Sequence, residues 1–193
     1  MAAEIKIVEE ANQQRAMDPK KFAMWLFIVS ASMVFAAFTS AYLVRRAAGN
    51  WFEFELPSMF YVTTAIILLS SATMHWAYLS AKRSSLEMTK VAISITTVLG
   101  IAFFVGQWIA WGALVRENVY LVGNPSGSFV YVLSGFHMLH IVGGVVFLLI
   151  VLVATFKFKV HSRRMTQMEL CATYWHFLDV LWLYLFGFLL LYR

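Results

Sequence analysis

Polar and ionisable residues along the chain gather into short clusters. Between them lie five unbroken apolar stretches: Phe22 to Val44, Ser58 to Leu79, Val91 to Leu114, Phe129 to Phe156 and Cys171 to Tyr192. A helix crossing a hydrocarbon core about 30 Å thick needs about 20 residues at about 1.5 Å each, so every stretch is long enough. The pattern predicts an all-α integral membrane bundle of five transmembrane helices, over residues 22–193, preceded by a polar arm over residues 1–21. The fourth stretch is the longest and is expected to tilt or to run past the membrane surface. Pro19, Pro57 and Pro125 all fall outside the stretches, where a fixed φ and a missing N–H begin or separate helices without breaking them. No cleavable leader is expected, because the arm is polar and the first apolar run is long and flanked by Arg45 and Arg46.

Composition agrees with this pattern. Apolar residues make up 61% of the chain and charged residues 13%, against about 45–50% and about 25% in a soluble domain. That excludes an ordinary soluble protein, and it excludes a nucleic-acid binder despite the net charge of +5. A single cysteine, Cys171, supports neither an intrachain disulfide nor a Cys-based metal site and is expected to pack. Basic residues set the orientation. Lys6, Arg15, Lys20, Lys21, Lys82, Arg83, Lys90, Lys157, Lys159, Arg163 and Arg164 fall on one side, eleven in all, against Arg45, Arg46, Arg116 and Arg193 on the other. The amino terminus is therefore expected inside and the carboxyl terminus outside. Lys157, Lys159, Arg163 and Arg164 are candidates for lipid headgroup contact. Trp25, Trp76 and Trp175 near the inner ends and Trp51, Trp108 and Trp111 near the outer ends fit an interfacial belt. Trp182 lies in mid-span, near Asp179, the one carboxylate within a stretch.

Ser32, Ala36 and Ser40 recur every fourth position of the first span and form a narrow row that lets another helix come close. Gly100, Gly106 and Gly112, and Gly135, Gly143 and Gly144, do the same in spans three and four, or simply reflect the frequency of glycine in membrane helices. The groups capable of chemistry within the membrane are His75, His137, His140, His176 and Asp179, with His161 read as a solvated loop residue. A charged Asp at a helix centre costs about 2.5 to 3.5 kcal/mol, so Asp179 requires a partner. Trp175, His176 and Trp182 share its stripe, which must face protein or water; an indole N–H, His176 or a hydroxyl of a neighbouring helix is the expected donor. Two function classes follow from the residues alone. A haem b anchor of a respiratory dehydrogenase would use His75 and His176, whereas His137 and His140, on one helix, cannot clasp a single haem. A transporter would need more carboxylates and broken helices than are present. What remains is a structural or regulatory bundle.

Two motifs carry a family resemblance. YWHFLDVLWLYLF, from Tyr174 to Phe186, resembles the carboxyl-terminal signature of subunit III of haem–copper terminal oxidases. GFHMLHIVGG, from Gly135 to Gly144, resembles the preceding helix of that family, with LVGNPSGSFVYV before it similar to bacterial forms. MWLFIVSASMVFAA followed by AYLVRR resembles the helix after the two-helix amino-terminal unit of long members. The resemblance implies a non-redox subunit of a respiratory oxidase, cytochrome c oxidase or a quinol oxidase, that reduces oxygen and translocates protons. It implies no catalytic, cofactor or metal site in this chain, with haems and copper held by partner subunits. The implied roles are packing on subunit I, with subunit II nearby, phospholipid binding, and support of proton uptake and stability, in the bacterial inner (cytoplasmic) membrane. Its polar motif residues are His137, His140, Trp175, His176, Asp179 and Trp182, and Ser32, Ala36 and Ser40 become the candidate contact with subunit I. Long members have seven helices with a lipid-filled cleft, whereas five are predicted here, so the cleft is expected to be absent or completed by another subunit. Where the family often carries a Glu in a Ser-Glu-x-Met context, this chain has Ser30-Ala31-Ser32-Met33, and Ala31 cannot take or release a proton.

Overall fold

A computed structural model of the protein describes residues 18–157 and 165–192. It contains α1 (Pro19–Ala47), α2 (Met59–Lys82), α3 (Leu86–Arg116), α4 (Pro125–Phe156) and α5 (Thr166–Tyr192), and no strand among the described residues. All five helices are long and apolar enough to cross a membrane. Each extends past its apolar stretch at one end or both, α4 being the longest at 32 residues. Two prolines act as helix starters: Pro19 and Pro125 open α1 and α4, behind Asp18 and Asn124, whose side chains accept from the backbone N–H of Lys20 and Ser126. Pro57 lies just ahead of α2. Lys6, Arg15, Lys159, His161, Arg163, Arg164 and Arg193 lie outside the described residues; Lys157 is exposed at the end of α4.

Neighbour relations give the architecture. α2 packs on α3, α3 on α4, α4 on α5 and α5 on α2, so these four close a ring. α1 touches only α4 and α5 and lies outside that ring. It does so through one stripe, Ile28, Ala31, Phe35, Thr39 and Tyr42, all buried at i, i+3 or i+4 spacing. α5 is the most enclosed helix and borders three others. The α1–α2 connection is tied to the start of α4, because Asn124 donates from Nδ2 to Asn50 O and accepts from Phe52 N, each at 3.2 Å. Gly127, in the first turn of α4, permits a close pass of the preceding loop: a Cβ there would lie 2.7 Å from Tyr120 O.

Candidate functional site

The α5 stripe expected to face protein does so. Trp175, Asp179 and Trp182 are buried, and His176 is partly buried. The two indoles reach across to α2: Trp175 Nε1 donates to Ser70 Oγ and Trp182 Nε1 to Thr64 Oγ1, each at 3.0 Å. Those hydroxyls spend their own protons on backbone carbonyls, Thr64 on Phe60 O at 2.7 Å and Ser70 on Thr96 O at 3.4 Å. The same division recurs twice. Thr63 donates to Phe60 O and accepts from Gln107 Nε2, and Ser134 donates to Val130 O and accepts from Trp111 Nε1. Thr63, Thr64 and Ser134 thus each satisfy their own helix and a neighbour, while Ser70 joins two neighbours, α3 and α5, which matters where no water can. These hydroxyls were not singled out from the sequence. The signal was present in α2, where the pairs Thr63, Thr64 and Ser70, Ser71 recur two turns apart: Thr64, Ser70 and Ser71 meet α5, and Thr63 meets α3.

The ring of four helices closes around the two indoles. Trp182 stacks on Phe60 at a centroid distance of 6.1 Å and on His137 at 5.0 Å, with Phe103 edge-on at 5.2 Å. Trp175 lies against α3 and α4 where both carry glycine: a Cβ at Gly100 would come within 2.7 Å of its ring and one at Gly144 within 3.0 Å. Gly106 faces the Thr63 methyl as closely, at 2.6 Å, but Gly112 meets nothing within 4 Å and Gly143 only the Tyr174 hydroxyl at 3.6 Å. Half of the glycine pattern is therefore a contact device and half is open. Trp175 is a core residue, not a ring of the interfacial belt, whereas Trp25, Trp76 and Trp108 are exposed.

His137 and His140 part company. His137 is fully buried, and neither ring nitrogen has a partner. His140 faces α1, between Phe27 and Phe35 at centroid distances of 6.0 and 5.5 Å, with Nδ1 2.7 Å from Phe136 O. Ala31, one turn from each of those phenylalanines, is buried on the same α1 face. Asp179 is 2% exposed and has no hydrogen-bond partner on either oxygen. The indoles expected as donors are engaged elsewhere, and the groups facing the carboxyl are His176, with Nδ1 3.7 Å from Oδ2, and Ser71. Ser71 Oγ lies 2.8 Å from that same Nδ1. His75 and His176, the pair considered for haem, do come together, with centroids 6.2 Å apart. Among the described residues no group of three or more His, Cys, Asp or Glu is placed to hold a metal ion. Cys171 is buried and free. Ser32, Ala36 and Ser40 are exposed on α1, in a row that starts beside its buried stripe and turns away from it.

Comparison with known proteins adds what geometry alone does not. A family model described as cytochrome c oxidase subunit III matches residues 6–193. The chain is 30% identical over 168 residues to the probable cytochrome c oxidase subunit 3 of Nocardia farcinica (strain IFM 10152), covering 84% of this chain and 82% of that one. It is also 30% identical over 202 residues to cytochrome c oxidase subunit 3 of Pelomedusa subrufa, covering 93% and 74%. The same identity, over 169 residues, relates it to cytochrome c oxidase subunit 3 of Corynebacterium diphtheriae, covering 83% and 82%.

Proposed function

The chain belongs to the cytochrome c oxidase subunit III family, a multi-pass membrane subunit of an oxidase complex, and from that premise we propose that it packs on subunit I through the outward face of α1. In this reading electron transfer and oxygen chemistry take place in partner subunits. This chain binds phospholipid, supports proton uptake and durability, and sits in a bacterial inner membrane with its amino terminus inside. The observation that carries the docking surface is the division of α1 into two sides. Ile28, Ala31, Phe35, Thr39 and Tyr42 are used against α4 and α5, while Ser32, Ala36 and Ser40 form an uncovered row of small side chains, with the Ser32 hydroxyl turned back onto Ile28 O. Small side chains let a second helix backbone approach closely, and the internal hydrogen bond satisfies the Ser32 hydroxyl without it.

Ala36→Leu tests this. It should leave the fold of the chain unchanged and release it from the oxidase during detergent purification, with the remaining subunits still turning over at first. Undiminished co-purification would move the docking surface elsewhere. The proximity of His75 and His176 gives the haem-anchor reading its one foothold. A reduced-minus-oxidised spectrum of the chain separated from its partners should show no b-type band; a stoichiometric band abolished by His75→Ala would restore that reading.

A further inference from the structure

Asp179 is the least expected group in the bundle. It is a carboxyl 2% exposed, about 20 Å along α5 from its start at Thr166, with no hydrogen-bond partner on either oxygen. A buried carboxylate without donors is costly, and such a group holds a proton whenever one can reach it. A route is present. His176 Nδ1 lies 3.7 Å from Asp179 Oδ2 and 2.8 Å from Ser71 Oγ. The same imidazole lines a cavity of 410 Å³ between α2 and α5, together with His75, Tyr78, Glu169, Ala172 and Thr173. A single water needs only about 10 to 15 Å³ of such space, so the cavity has room for several.

We propose that Asp179 is a proton-exchanging site within the bundle, reached from this cavity through the His176 imidazole and the Ser71 hydroxyl. The imidazole takes a proton from cavity water on one ring nitrogen and gives up the proton on the other to Ser71, which passes its own hydroxyl proton to Asp179. One proton moves inward, and the ring returns to its neutral form with its tautomer exchanged. The serine bridges the 3.7 Å between His176 Nδ1 and Asp179 Oδ2.

The other titratable groups facing this route are few. From α2 they are His75 and Tyr78, which line the cavity; from α5, Glu169; and from α1, Lys21, which is paired with Glu169 at 2.6 Å. From α4 comes His137, separated from the route by the Trp182 ring. Beyond Asp179 the stack of Phe60, Trp182 and His137, with Phe103 edge-on, closes the far side. Asp179 therefore exchanges with one end of the bundle, the end where α1 and α5 begin, and stores a proton instead of conducting it across. This route depends on side-chain geometry alone, whichever complex the chain joins.

Infrared spectroscopy of the full chain in liposomes tests it. A protonated-carboxyl C=O band should be present, disappear in Asp179→Asn, and shift on transfer from H2O to D2O. His176→Asn, close in size and unable to relay, should slow that shift about tenfold or more. Added imidazole, small enough for the cavity, should restore the rate. If His176→Asn does not accumulate, Ser71→Ala carries the test and should slow exchange as well. The proposal is overturned by the absence of an Asp179 band, by an exchange rate indifferent to both substitutions, or by a slowing that imidazole leaves untouched, which would make His176 a packing residue only.

Discussion

The two seams on α5 are built differently. Toward α2 the seam is deep and polar at its centre: two indoles donate to two hydroxyls, the rings fill the space between α2, α3 and α4, and glycines on α3 and α4 bring those helices onto Trp175. Toward α1 it is shallow and tied near its ends. Lys21 pairs with Glu169 at 2.6 Å near the start of both helices, while the Thr39 and Tyr184 hydroxyls meet at 2.9 Å and the Tyr42 hydroxyl donates to Tyr192 O at 2.8 Å toward their close. In lipid there is no hydrophobic gain from bringing apolar helices together, so cohesion comes from close packing and interhelical hydrogen bonds. By that measure the four-helix ring is complete in itself. α1 is held on one side and leaves its other side for a partner.

The sharpest way to break that contrast is to empty the deep seam. Trp182→Ala removes the ring stacked between Phe60 and His137 and takes the donor away from Thr64. Losses of about 3 to 5 kcal/mol accompany Trp or Phe truncation in a packed core. Unfolding of the purified chain in mixed micelles should show a loss on that scale. Trp25→Ala, on the exposed side of α1, should stay within about 0.5 kcal/mol of the parent. Equal effects at the two positions would dissolve the distinction between ring and outer helix.

Glycines give the next test. A Cβ at Gly144 would lie 2.9 Å from Leu178 and 3.0 Å from the Trp175 ring, so Gly144→Leu forces α4 away from α5. Overpacking of this kind costs about 1 to 3 kcal/mol. Gly112→Leu, with nothing within 4 Å of the added atom, should be silent in the same unfolding assay. A reversal of that order would mean that the close approach of α4 to Trp175 is not what holds the seam.

Much of this was legible in the sequence, for a plain reason. Hydropathy over some twenty residues reports a helix across a membrane whatever its neighbours are, so five spans, their order and their proline starts could be read directly. The facing of individual side chains could not. His137 and His140, three residues apart, are separated by only about 60° around the axis. Yet α4 has the interior of the ring on one side and α1 on the other, so one imidazole is sealed against Trp182 and the other turns to Phe27 and Phe35. Depth along the chain fits Trp175 to an interfacial belt as well as to the Asp179 stripe; the holes that make it a core ring, Gly100 and Gly144, are on other helices. Of the three donor types expected for Asp179, the indoles are claimed by hydroxyls on α2 at the level of each ring, while His176 and an α2 hydroxyl, Ser71, are the groups that face it.

The smallest effect is the most discriminating, because it asks whether one interhelical hydrogen bond is worth the same in both seams. Thr39 Oγ1 lies 3.1 Å from the carbonyls of Phe35 and Ala36, where its single proton is used, so the Tyr184 hydroxyl donates to it. Tyr184 is about half exposed, and its unbonded hydroxyl can turn to lipid headgroups or water. Thr64 and Trp182 are buried, so a freed indole N–H there cannot turn to water. Measured couplings of this kind in a membrane protein average about 0.6 kcal/mol and reach about 1.7. A double-mutant cycle on Thr39→Val and Tyr184→Phe should therefore give at most about 0.6 kcal/mol, and one on Thr64→Val and Trp182→Phe should approach the upper value. If the α1 pair couples as strongly as the α2 pair, α1 is an integral member of the bundle, and its outward face loses its standing as the side left open for a partner.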